Sequence, residues 1–368
     1  MPANPFRYTE PVSPADLVDR DEETRRIVEL ALEGNNSRLV APRRYGKTSL
    51  LGRVAAEMPK SWQTVRVDFF GVLTVQDVTE RIERAYADQL SGRLSKWFMA
   101  LRRTMRPTLR AGGGAVPVGV EIDLAEPSSS SLLDRLAIPR RLYERHGVRT
   151  LVVFDEFQDV LTAEARIDAV IRSEIQHHAQ AAGYVFAGSQ VGMMENLFGD
   201  RRRAFYAQAA PVVLGDLDAG ALAEYIERRF FETDKDVGSA LEPLLDLGRG
   251  HPQRSMLLAH ALWNATDVGH LATEETWDLA RRTALAEVRD ELRALWTGLP
   301  TGQRRVLATL VSSGGRLYAG PRTGGSRGGA VRQAAQALMD RGEVLKSARG
   351  YQIVDPLLAA WIEAGTPS

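Results

Sequence analysis

Three features of the chain predict an α/β fold built on a parallel sheet. The loop Ala41-Pro42-Arg43-Arg44-Tyr45-Gly46-Lys47-Thr48-Ser49 joins the short apolar run Leu39-Val40 to a helical pattern through Leu51, Val54 and Met58. A second apolar run, Leu151-Val152-Val153-Phe154, ends in the adjacent carboxylates Asp155 and Glu156 and reads as a strand buried on both faces. Strand and helix patterns alternate around these two, as they do where crossover helices join parallel strands.

Taken in order, the expected strands are Leu39-Val40, 64–69, 151–154, 184–187 and 212–214. Helical patterns begin near Asp21, Thr48, Val75, Leu132 and Ala163. The 71–149 interval is too long for one crossover helix, so it reads as an insertion on the core at about 90–130. It holds a basic helical stretch over 90–110, a Gly112-Gly113-Gly114 turn, and a β-like run over 116–124 followed by Pro127. In the basic stretch Arg93, Lys96, Arg102, Arg103, Arg106 and Arg110 lie among Trp97, Phe98, Met99 and Leu101. That pattern is an amphipathic helix whose basic face is either solvated or used by a partner. Beyond Ala219 strand patterns vanish and helices dominate. Over 297–368 two helices precede a hairpin, the order of a winged helix. The expected division is a core over 1–216, a helical lid over 217–294 and a winged-helix domain over 295–368.

The first loop carries the chemistry. Successive N–H groups and the N-terminus of the following helix form an anion cradle. Gly46 lets a phosphate approach the backbone closely, Lys47 reaches the outer phosphates, and the Thr48 hydroxyl completes a Mg²⁺ shell. Arg44, Tyr45, Gly46, Lys47, Thr48 and Ser49 are therefore candidate nucleotide-binding positions. Ala41 departs from G-x-x-x-x-G-K-[ST], at a position that shapes the turn and accepts alanine where φ is negative. Ligands of parallel sheets bind at the carboxyl ends of strands, where Asp155 and Glu156 fall. Asp155 is the candidate Mg²⁺ ligand with Thr48, and Glu156 the candidate base for a water attacking a γ-phosphate. ATP with Mg²⁺ is the expected ligand. A kinase on the same loop must exclude water, and a carboxylate poised to activate water argues against it.

Composition narrows the partners. Lys+Arg and Asp+Glu both number 47, so overall charge predicts neither a nucleic-acid nor a membrane partner. Cysteine is absent, which excludes disulfides and thiolate metal sites and suits a reducing compartment. The opening residues lack a signal-peptide pattern, and no apolar run reaches the roughly 18 residues that span a bilayer. A cytoplasmic protein is expected. Within 297–368, nine Arg/Lys stand against four Asp/Glu. A basic winged helix either offers Arg332, Gln333 and Gln336 to double-stranded DNA, with Lys346 and Arg349 on the wing, or packs against its neighbours.

The chain resembles the archaeal-type AAA+/STAND ATPases, the branch close to origin-recognition ATPases, over nearly its whole length. Pro42-Arg43-Arg44-Tyr45-Gly46-Lys47-Thr48-Ser49 is similar to that family's P-R-R-x-G-K-T-S. Leu17-Val18-Asp19-Arg20-Asp21-Glu22-Glu23 resembles its F-x-G-R-x-x-E box, with Asp19 in place of glycine. Asn4-Pro5-Phe6-Arg7-Tyr8 with Pro11-Val12 looks like the segment near the adenine, and Val185 to Gln190 like the sensor-1 strand. Gly250-His251-Pro252 resembles the G-x-P turn of the lid, and Asp355-Pro356-Leu357-Leu358 the closing helix. The resemblance implies an AAA+-like, five-stranded αβα core whose bound ATP moves the lid and repositions the winged helix. It implies that Ser189 lies beside the γ-phosphate, that His251 and Pro252 contact nucleotide, and that Arg254 reaches the γ-phosphate. Self-association or a protein partner also follows, with Arg201-Arg202-Arg203 the place for an arginine finger, although those residues beside Asp200 equally read as a solvated loop. A DNA-binding regulator that keeps ATP as a structural cofactor is the alternative function.

Overall fold

At the centre of the computed structural model, which describes residues 3–105, 129–317, 326–347 and 350–365, lies a five-stranded parallel sheet. Its strands are β1 (Ser37–Val40), β2 (Trp62–Asp68), β3 (Arg149–Asp155), β4 (Ala182–Gly188) and β5 (Ala210–Val213), in the order β2-β3-β4-β1-β5. Each overlaps its expected run. β3 and β4 are buried on both faces, which their unbroken apolar composition requires. Alternation sends Leu151, Val153 and Val185 to one face and Val152, Phe154, Tyr184 and Phe186 to the other.

Helices α1 (Asp21–Leu32) and α2 (Lys47–Glu57) cover the first face through Ile27, Leu50 and Val54. Among the described residues, the second is covered by α3 (Val75–Gln89), α4 (Gly92–Met105), α5 (Ser129–Leu136), α6 (Ile138–His146), α7 (Val160–Ala163), α8 (Ile167–Ile175) and α9 (Val191–Gly199). The basic helix of the insertion is α4. It buries Phe98 and pairs Arg102 with Glu83 of α3, leaving Arg93, Lys96 and Arg103 exposed. The glycine turn, the β-like run, Arg106 and Arg110 lie outside the described residues.

Next come the helices α10 (Ala219–Phe231), α11 (Leu241–Gly248), α12 (Pro252–Ala265) and α13 (Glu274–Gly298). The chain closes with α14 (Thr301–Ser312), α15 (Ser326–Asp340), the antiparallel pair β6 (Val344–Ser347) and β7 (Gly350–Ile353), and α16 (Pro356–Glu363). These elements share one core, with Ile226, Leu257, Leu292, Leu307, Leu338 and Leu357 in a single cluster. α13 is unbroken for 25 residues and starts from a capping box at Thr273, so no joint separates residues 294 and 295. Among the described residues no helix is long and apolar enough to cross a membrane.

The segment before α1 works as a strap. Phe6 is buried against Tyr225 and Phe230 of α10, and its carbonyl meets His260 Nδ1 at 2.8 Å. Tyr8 is hydrogen-bonded to Glu287 of α13. Truncating Phe6 to alanine removes an aromatic ring from a packed core, a loss of about 3–5 kcal/mol. Phe6→Ala should therefore lower the melting temperature and speed tryptic cleavage at Arg7; unchanged cleavage would show that the strap is held elsewhere.

Candidate functional site

Between β1 and α2 the backbone folds into a nest. Arg44 (φ 69°) and Gly46 (φ 81°) are left-handed, which turns neighbouring N–H groups toward one concavity. Glycine bears this freely, whereas Arg44 is tethered by its ion pair with Glu291 of α13. Ala41 is not among the residues with positive φ, so the missing glycine introduces no strain there. Its carbonyl accepts from Lys47 Nζ at 3.2 Å, and the Pro42 carbonyl does so at 3.3 Å. Burial lowers the Lys47 pKa, while the charges of Glu156 and Asp155 oppose that shift.

The carboxylates arrive from β3, with β4 between them and the loop. Asp155 Oδ1 accepts from Glu156 N at 3.0 Å, and Oδ2 pairs with Nη2 of Arg66, a residue of β2. The same nitrogen donates to Thr48 Oγ1 at 3.3 Å. Glu156 takes a left-handed conformation (φ 47°), and its Oε2 accepts from Ser189 Oγ at 2.6 Å and Gln158 Nε2 at 2.7 Å. Burial pushes the Glu156 carboxyl up, but these donors and Lys47 outweigh it and hold it below the ordinary value. It is therefore charged at neutral pH, as a base must be.

Among the described residues no group of three or more His, Cys, Asp or Glu side chains could hold a metal ion. A Mg²⁺ ion shared with phosphates needs only one carboxylate and a hydroxyl. Thr48 Oγ1 and Asp155 Oδ2 already converge on one guanidinium nitrogen, so a cation fits between them. These residues suit Mg²⁺.

A cavity of about 700 Å³ opens between the loop, the strap and the helices after β5, a size typical of small-molecule sites. Lys47, Thr48, Asp155 and Glu156 line it. Tyr8, Pro11 and Val12 of the strap and Tyr225, Met256 and Val288 of the later helices line it too. Ser49 fixes the strap by accepting from Val12 N at 3.1 Å. Asp19, in the position where the resemblance has glycine, has φ 50° and accepts from Asp218 N at 2.7 Å. Aspartate tolerates that conformation better than most residues.

On the lid side the named residues divide. Pro252 lines the cavity, whereas His251 lies beneath it, 2% exposed, with Nδ1 accepting from Arg254 N at 3.3 Å to cap α12. Its ring packs on Tyr45 at 4.9 Å, and Tyr45 donates to Asp216 at 3.0 Å. Arg254 also lines the cavity, but its Nε and Nη2 donate to Asp355 Oδ2 at 2.9 and 2.5 Å, and Nη2 to Glu291 at 3.0 Å. Asp355 Oδ1 accepts from Leu357 N at 2.9 Å and caps α16. One chain of charges thus ties Arg44, Glu291, Arg254 and Asp355. Arg202 pairs with Asp200 at 2.7 Å, Arg203 donates to the Ala165 carbonyl at 2.9 Å, and Arg201 is exposed. Arg332, Gln333 and Gln336 are exposed on α15, and Arg349 lies outside the described residues.

Sequence reasoning missed Arg66, Gln158, Glu291 and Asp216. Arg66 left no signal: between Val65 and Val67, strand alternation turns it to the opposite face, as at any solvated position. Glu291 left none, since its partners lie far away along the chain.

A nest after β1, paired carboxylates after β3 and β4 between them define the α/β P-loop fold of the AAA+ type. Solved structures agree. The Walker-type ATPase PABY2304 of Pyrococcus abyssi matches with a TM-score of 0.70 at 18% identity, over 97% of this chain and 99% of that one. The ADP form of the Aeropyrum pernix ORC2 protein matches with a TM-score of 0.53 at 14% identity, over 98% of each chain. At these identities the likeness is one of fold, shared with Walker-type and origin-recognition proteins of archaea. No protein-family model and no curated protein sequence matches the chain.

The buried cap gives a pH prediction. Burial pushes His251 down to about 4, against the opposing charge of Asp355; the unfolded chain titrates near ~6.5. Between these values the unfolded state binds the extra proton, so stability falls as pH drops through this window and is flat above it. This group alone should remove ~2–3 kcal/mol between pH 7 and 4.5. His251→Asn keeps an acceptor for Arg254 N and should lose that part of the slope in denaturant melts at each pH.

Proposed function

We propose that the chain binds ATP with Mg²⁺ in this cavity, hydrolyses it, and works as a molecular switch. The observation that carries the reading is the meeting of Lys47 with Asp155 and Glu156 across β4. The loop amides and Lys47 hold the phosphates, and the base lies against apolar lining residues such as Val12, Met256 and Val288. Thr48 and Asp155 hold Mg²⁺, which when bound neutralises charge on the outer phosphates. Glu156, charged and aimed by Ser189 and Gln158, accepts the proton of the attacking water. His251 shapes the wall from behind rather than through contact with ligand, while Tyr45 lines the cavity with its hydroxyl tied to Asp216.

The switch reading rests on the linked charges. Arg44 and Arg254 face the cavity, yet both are held by acids of the later helices. A terminal phosphate competes with Glu291 and Asp355 for these guanidiniums, and Arg254 reaches it only by letting go of Asp355. Nucleotide state then feeds into the position of residues 295–368, which we read as a winged helix on their order of two helices, hairpin and helix. The exposed row Arg332, Gln333 and Gln336 suits double-stranded DNA, and the cytoplasm suits the absence of cysteine.

Lys47→Ala should weaken ATP binding by roughly 100-fold, read by calorimetry, because charge-assisted bonds to phosphate are lost. Glu156→Gln should bind ATP normally and slow phosphate release by about 10²–10⁴-fold. Undiminished turnover by the Gln variant removes Glu156 from the role of base.

A further inference from the structure

The convergence of Thr48 and Asp155 on Arg66 has a use of its own. Arg66 sits on an edge strand whose outer side is clamped by Gln89, which accepts from Arg66 N at 2.9 Å and donates to its carbonyl at 2.8 Å. The backbone is therefore fixed, and only the side chain can move. That side chain is 34% exposed, so a route out of the site is open to it. Its Nη2 serves both oxygens assigned to the metal, while its Nε is buried with no hydrogen-bond partner. An arginine in its resting place usually satisfies its donors; this one leaves one unmet beside Lys47 and two carboxylates.

We propose that Arg66 is a placeholder cation: it occupies the Mg²⁺ position at Thr48 and Asp155 until metal and nucleotide load, and competes with the metal for Asp155. The inference rests on the ATP·Mg²⁺ reading above. Without metal, Arg66 balances Asp155 and keeps the acidic corner from repelling a polyphosphate. On loading, Arg66 yields Asp155 and turns outward, so the apparent metal affinity of the site is lower than its oxygens alone would give. Arg66 acts through Asp155 and is a positioning residue.

The test uses the full chain, a fluorescent ADP analogue and MgCl₂ titrated from a chelator baseline. Arg66→Gln should shift the Mg²⁺ midpoint for tight nucleotide binding about tenfold lower, the effect of removing one charge-assisted competitor. Arg66→Lys, which keeps a cation, should stay near the wild-type midpoint. In melting experiments without nucleotide, MgCl₂ should raise the melting temperature of Arg66→Gln more than that of the wild type. Equal midpoints for Gln variant and wild type, or a midpoint moved to higher Mg²⁺, overturn the placeholder role. Binding by the Lys variant but not by the Gln variant at saturating Mg²⁺ also overturns it, by making Arg66 a nucleotide ligand. If the wild type binds no nucleotide at all, the ATP reading fails first, and the two failures are distinct.

Discussion

β4 stands between the strand that feeds the phosphate loop and the strand that ends in carboxylates, and this spacing governs the site. Neighbouring strands lie about 4.8 Å apart, so the two backbones are separated by roughly 10 Å. No backbone contact can close such a gap; side chains and a ligand must. Lys47 reaches in from one side and Glu156 from the other. Ser189, just past the end of β4, stands in the middle and grips Glu156 at 2.6 Å.

The charges around the gap fall into two balanced sets. Lys47 and Arg66 face Asp155 and Glu156, while Arg44 and Arg254 face Glu291 and Asp355. Each set is neutral as it stands, which is how several ionised groups coexist in a partly buried region. Arg44 belongs to the loop and to the second set, so the two sets meet at the loop. The second set spans the loop, α12, α13 and the start of α16, and so ties the sheet to the later helices.

Much of this was legible in the chain. Buried parallel strands announce themselves as apolar runs, and the loop and carboxylates follow from residue types with a direct chemical use. α13 was also readable as continuous, since Glu274 to Thr297 contains neither glycine nor proline; the expected boundary at 294 came instead from the helix–helix–hairpin order read over 297–368. Pairings across large separations left no local trace. Phe6 lies in the core formed by α10 to α16, and Arg44 meets Glu291 across the chain. His251 shows a different limit: its place before Pro252 marks the start of a helix, but only packing decides whether the ring faces ligand or Tyr45.

The two oxygens of Asp355 have separate tasks. Oδ1 satisfies the first turn of α16 through Leu357 N and Leu358 N, whereas Oδ2 alone takes Arg254. Detaching the arginine therefore leaves the helix start intact. What caps the first turn of α16 and what holds that helix to α12 are thus two separate bonds on one carboxylate.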